Sequence, residues 1–198
     1  TYADETLWII GACYLINLVN WFLFASLLNI FGITPRTIHG LLGVFFYPIL
    51  HGNTQHFLSN ALPFFLLTIT GLSLVNQSTF LAVVLLSHFL TAVGIWFFAR
   101  RAIHIGASGL VSSLYGWLLT LTISEPSLIN LTILFLIFVY MGGILLGLMP
   151  QEENVSWEGH LIGFISGVLV YFYTKTPDFY MIEVKTINLI SSTLSIVS

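Results

Sequence analysis

The chain has 198 residues, of which 57% are hydrophobic and only 7% charged, and its mean hydropathy is +0.98. A soluble domain carries roughly a quarter charged residues, so this chain cannot coat itself with water-compatible surface, and a lipid bilayer must solvate much of it. The net charge of −3 and the lack of a basic stripe argue against a nucleic-acid partner, and the single cysteine, Cys13, excludes an internal disulfide.

No basic n-region or small-residue cleavage pattern precedes the first apolar run, so no signal peptide is expected. That run, 7–30, predicts the first helix. The segment 31–55 follows, interrupted by Pro35, Arg36, Gly40, Gly43 and Pro48, yet carrying Leu41, Leu42, Val44, Phe45 and Phe46. It is too apolar for a solvated loop and too broken to span, so it reads as a partly embedded loop with short helical pieces. Apolar runs at 57–75, 80–99, 109–123, 128–149 and 157–173 predict five further helices.

All but the fourth approach the ~20 residues that cross a ~30 Å hydrocarbon core. The fourth, with Glu125-Pro126 at its interfacial end, reaches only about 22 Å. Its start, Gly106-Ala107-Ser108-Gly109, therefore lies below the opposite membrane surface. The expected fold is all-α, a compact polytopic bundle of six transmembrane helices over 1–175, with a tail at 176–198. The tail's last apolar run, 187–197, is too short to span. Arg36, Arg100 and Arg101 fall in the first and third loops, against Lys175 and Lys185 beyond the sixth helix. The positive-inside rule leans towards loops one and three inside without deciding the orientation.

Polar groups at membrane depth are costly and point to function. Three clusters stand out. His51 is followed by His56 and Asn60, which are four apart and share a face near the start of the second helix. Ser108 is flanked by Gly106 and Gly109, and His160 opens the sixth helix ahead of Gly163 and Gly167. A serine hydroxyl is a weak nucleophile until a nearby base takes its proton. At a helix start its own amide is unpaired and can bind an oxyanion, although such a serine can equally be a cap or packing residue. A buried histidine can be structural, a metal ligand or a base.

If helices four and six cross at Gly116 and Gly163, Ser108 and His160 face each other near one end, with Gly167 further from the crossing. Helix four has no acid, and Glu158 is the only one near His160, so a serine–histidine dyad is the economical reading. Asn60 and His56 could then donate to an oxyanion, or merely tie the second helix to its neighbours. Metal binding by His51, His56 and His160 is the rival chemistry, but no H-E-x-x-H pattern is present; neither metal nor cofactor is expected. The Gly143-x-x-x-Gly147 pair reads as helix packing.

His56-x-x-x-Asn60, Gly106-Ala107-Ser108-Gly109 and His160-x-x-Gly163-x-x-x-Gly167, in this order and with His51-Gly52 ahead of them, resemble the rhomboid family over about 7–173. The resemblance implies a six-helix intramembrane serine protease that cleaves transmembrane proteins through a water-filled cavity. It implies Ser108 as nucleophile, His160 as base, and His56 with Asn60 and the Ser108 amide as oxyanion donors. It also implies a cytoplasmic N-terminus, a bacterial plasma-membrane location and a cavity opening to the exterior. Helix five and the 150–156 loop would be gate and cap. Departures are Leu42 and Gly43 where many members have Trp-Arg, Ser112 where many have a tyrosine stacked on the base, and Gly159 where alanine often precedes the histidine. An inactive client-binding relative and a small channel or transporter are the other readings that these residues allow.

Overall fold

The computed structural model describes residues 1–149 and 157–182, and these are all-helical. In chain order the helices are α1 (Tyr2–Leu23), α2 (Gly43–Phe46), α3 (Thr54–Leu74), α4 (Gln77–Phe98), α5 (Ser108–Ser124), α6 (Leu128–Met141), α7 (Gly143–Leu146) and α8 (Trp157–Thr174). The one extended pairing among the described residues is an antiparallel bridge between Ile33 and His104. Helices α1, α3 and α4 are each long and apolar enough to cross a membrane alone. Their outward faces carry large apolar side chains, with Phe22 80% and Phe98 79% exposed. Together these features make the chain a polytopic membrane bundle.

Two predicted helices are divided. The run 7–30 stops at Leu23 because Ala25 and Ser26 take positive φ. There the Asn20 side chain accepts from the Leu28 amide at 3.0 Å and donates to Asn29 Oδ1 at 2.9 Å, so a 3-10 turn, Leu27–Phe31, leaves at a new angle. The run 128–149 breaks at Gly142 into α6 and the single turn α7. The 150–156 loop read as a cap, and the apolar run 187–197, lie outside the described residues.

Helix α5 is the axis of the bundle: every residue from Gly109 to Leu118 is buried. A helix apolar on all sides belongs at the centre, and α3, α4, α6 and α8 all pack on it. Its 17 residues span about 25 Å, so its N-terminus falls short of one surface. The closest interface is with α8, and here the expected crossing is corrected. Gly163 lies on the Gly109 backbone, Gly167 on the backbone of Ser113 and Trp117, and Gly116 on that of Phe164. Gly116 and Gly163 do not face each other. The helices run parallel, Gly163 and Gly167 of α8 following Gly109 and Ser113 of α5 in the same order, so the contacts form a ladder whose first rung sits beside Ser108.

The first loop is bound from both sides. Ile33 and His104 exchange backbone hydrogen bonds at 2.9 and 2.8 Å, and the Gly106 amide donates to Tyr47 O at 2.8 Å. Arg36 Nη1 donates to Phe97 O at 2.8 Å, and Trp96 Nε1 donates to Thr37 O at 2.9 Å. From α1, Asn17 Nδ2 donates to Ile49 O at 2.7 Å, while Asn17 Oδ1 accepts from the His51 amide at 2.8 Å. An arginine and a tryptophan thus dock this loop from positions 36 and 96.

Candidate active site

A cavity of about 680 Å³ opens between α3, α5, α7 and α8, and its wall includes Ser108, His160, His56 and Asn60. Each arrives by a local cause. Asn53 caps α3, its side chain accepting from the His56 amide at 2.9 Å, and the helix repeat then stacks Asn60 one turn beyond His56. Ser108 is the first residue of α5, behind Gly106 at φ +102°. That left-handed conformation suits glycine, and it turns the chain sharply into the helix. His160 stands in the first turn of α8, one turn before the Gly163–Gly109 contact.

Helix α5 has no side-chain cap, so its first amides are free to meet an acceptor. Around them two side-chain donors converge. A Cβ on Gly106 would lie 2.5 Å from His56 Nε2 and 3.3 Å from Asn60 Nδ2, so the space kept open by that glycine is what both nitrogens face. Asn60 is buried, and its Nδ2 has no hydrogen-bond partner. An orphan buried donor is costly unless something else comes to accept from it. His56 Nδ1 accepts from the Gly52 amide at 3.4 Å, which assigns the ring proton to Nε2 and makes that atom a donor.

His160 Nδ1 lies 3.0 Å from Gly147 O. A carbonyl only accepts, so Nδ1 carries the proton and Nε2 keeps its lone pair. Glu158 is turned away, its Oε1 lying 3.6 Å from Arg100 Nε. Among the described residues no aromatic ring stacks on His160, and Ser112 is buried in the cavity wall where the resemblance would place one.

His51 is at the site but engaged elsewhere. Its Nδ1 donates to Ile49 O at 3.1 Å and its Nε2 accepts from the Ala107 amide at 3.5 Å. Burial pushes its pKa down to about 4, so the ring is neutral and holds the backbone just ahead of Ser108. With both nitrogens committed, His51 has no lone pair for a metal, which removes one ligand from the three-histidine reading. Among the described residues no group of three His, Cys, Asp or Glu side chains is placed to hold a metal ion.

Sequence reasoning missed Asn17, Trp21 and Tyr47, which fix the loop that carries His51; Trp21 Nε1 donates to His51 O at 2.8 Å. The signal was there, since Asn17 and Asn20 are fully buried amides in an otherwise apolar helix. It also read Gly147 as packing alone.

An all-helical membrane bundle with a serine at a buried helix start and a histidine on the facing helix defines the class of this chain. Residues 38–176 match the family model of the rhomboid domain, and the chain belongs to the rhomboid family. It is 35% identical over 189 residues to an uncharacterized protein of Mycobacterium tuberculosis, covering 85% of this chain and 73% of that one. An uncharacterized protein of Mycobacterium leprae is 31% identical over 174 residues, covering 83% and 68%. A protein of Acanthamoeba polyphaga mimivirus, provisionally named a rhomboid, is 27% identical over 170 residues, covering 83% and 91%.

Proposed function

We propose that the chain is an intramembrane serine endopeptidase acting on transmembrane proteins by a Ser108–His160 dyad. The observation that carries this reading is the convergence on one cavity of a serine at an uncapped helix start, a histidine with a free Nε2, and two donors aimed at a space a glycine keeps open. His160 Nε2 takes the Ser108 hydroxyl proton as Oγ bonds to the scissile carbonyl carbon. The resulting oxyanion accepts from the Ser108 amide, His56 Nε2 and Asn60 Nδ2. Collapse breaks the C–N bond, and His160 gives its proton to the leaving amine. Water then attacks the acyl-enzyme, with His160 again as base, and releases the acid.

In this reading the substrate is a membrane-protein segment that enters from lipid, and no cofactor or metal takes part. The chain sits in a bacterial plasma membrane, N-terminus inside, with the cavity open to the exterior. The loop arginines do not weigh against this, since Arg36 binds Phe97 O and Arg100 pairs with Glu158. Two of the three loop arginines thus have structural partners whatever the topology.

The test is cleavage of a model transmembrane substrate by purified protein in liposomes. Ser108→Ala and His160→Ala each abolish cleavage. Because the two act as a unit, the double variant is hardly slower than either single. EDTA leaves the rate unchanged. A Ser108→Ala protein with near-wild-type turnover overturns the assignment.

A further inference from the structure

Every histidine base must be held in one tautomer and one orientation, usually by a group on its second nitrogen. Among the described residues an acid does not do it, because Glu158 faces Arg100. A stacked ring does not do it either, because residue 112 is serine and no aromatic contacts His160 among the described residues. What reaches Nδ1 is the main-chain oxygen of Gly147, at 3.0 Å.

We infer that the Gly147 carbonyl is the positioning group of His160, and that α7 carries it to the base as a separate, dockable piece. This rests on His160 acting as the base. Three features support it. Gly147 has no side chain, and a Cβ there would stand 3.0 Å from His160 Nδ1 and 3.2 Å from Ile144 O, so glycine is what allows the ring this close. The carbonyl is presented by a local fold of its own: α7 is one turn, and the Gly147 amide donates back to Gly143 O at 3.2 Å. That turn is set off from α6 by the break at Gly142, and Gly143, Ile144 and Gly147 themselves form cavity wall. Whatever displaces α7 to enter the cavity therefore also frees the imidazole. The base is set only when α7 sits back in place.

A bond that merely satisfies a buried nitrogen differs from one that positions the base, and the difference is measurable. Replacing Leu148 by its α-hydroxy analogue in the full-length chain turns the Gly147–Leu148 amide into an ester, whose carbonyl is a poorer acceptor, without adding an atom near His160. The same replacement at Leu136, exposed within α6 and away from the break at Gly142, is the control for perturbing helix hydrogen bonds. Gly147→Ala is the second variant. The readouts are kcat and KM on a model transmembrane substrate, and the tautomer of His160 by side-chain nitrogen-15 NMR, assigned by its absence in His160→Ala. The Leu148 ester and Gly147→Ala should lower kcat about 10- to 100-fold, the scale of a small displacement at the reacting atoms, with KM within about 2-fold of wild type. His160 should shift from the pure Nδ1–H tautomer to a mixture, and the Leu136 ester should change neither. Wild-type kcat in the Leu148 ester overturns the proposal, as does a fall in kcat with the tautomer unchanged. If instead His160→Ala cleaves normally, the assignment of the base has failed, while the tautomer measurement still reports whether the Gly147 bond exists.

Discussion

Asn60 and His51 lie in the same site and have opposite hydrogen-bonding situations. Asn60 keeps a buried donor unpaired, an arrangement that makes sense where an acceptor forms only during reaction. Asn60→Ala should lower kcat by about 100- to 1,000-fold, the usual loss for one oxyanion donor, with KM little changed. Folding should be intact because no hydrogen bond is lost. A variant whose turnover per folded molecule equals wild type returns Asn60 to a structural role. His51 has every polar atom satisfied and titrates near pH 4, against 6.5 for an exposed histidine. Below about pH 6.5 the unfolded chain takes up a proton that folded His51 refuses, so stability falls as pH drops through that window, and above it the term vanishes. The shift corresponds to about 3 kcal/mol by pH 4. Thermal unfolding measured from pH 7 to 4.5 should show this acid slope in wild type and a shallower one in His51→Gln. Equal slopes would mean that the ring is not buried neutral.

At the scale of helices, the α5–α8 ladder shows which part of the sequence reading carried through and which did not. The glycines of α8 were legible as a close approach, because small residues let backbones meet in lipid. Their partners were not, since residue spacing along one helix fixes a face and leaves the axial register against the other helix open. Gly163 meets Gly109 and Gly167 meets Ser113, so Gly167, expected to lie further from the crossing, is as confined as Gly163. Gly163→Val and Gly167→Ala should each force backbone against side chain and cost about 1–3 kcal/mol, read as lower thermal stability in detergent. Only Gly163, one turn from His160, should also cripple cleavage in the folded fraction. If Gly167→Ala unfolds at the wild-type temperature, the two backbones are not in contact there. The division of 128–149 was illegible for a related reason: Gly142-Gly143 in an apolar run is compatible with a continuous helix, and the contact of the Gly147 carbonyl with His160 is between residues 13 apart in sequence.

Across the whole molecule, the long-range order of the site depends on one buried amide. Asn17 satisfies Ile49 O and the His51 amide together, linking α1 to the loop that supports Ser108. Asn17→Leu leaves the His51 amide buried without a partner and removes one of the two donors to Ile49 O, so it should cost about 2 kcal/mol and slow cleavage in proportion to the unfolded fraction; a fully stable Asn17→Leu protein would show that this amide does not hold the loop. The all-helical bundle, the short central helix and the polar clusters were readable from hydropathy and spacing. The loop's course was not, because its contacts run between residues 30 or more positions apart in sequence, such as Arg36 with Phe97. The cavity has one more consequence. At the ~30 Å³ a water molecule occupies in the liquid, its roughly 680 Å³ has room for about 20 of them. Under the proposed hydrolysis each cut would consume one molecule from that small population, and a peptide lying in the cavity would evict others. If the proposed dyad operates, substrates with bulky side chains around the scissile bond would acylate the serine and then crowd out the water for the next step, so that the size of a substrate's side chains, and not only their chemistry, would set how long the acyl-enzyme survives.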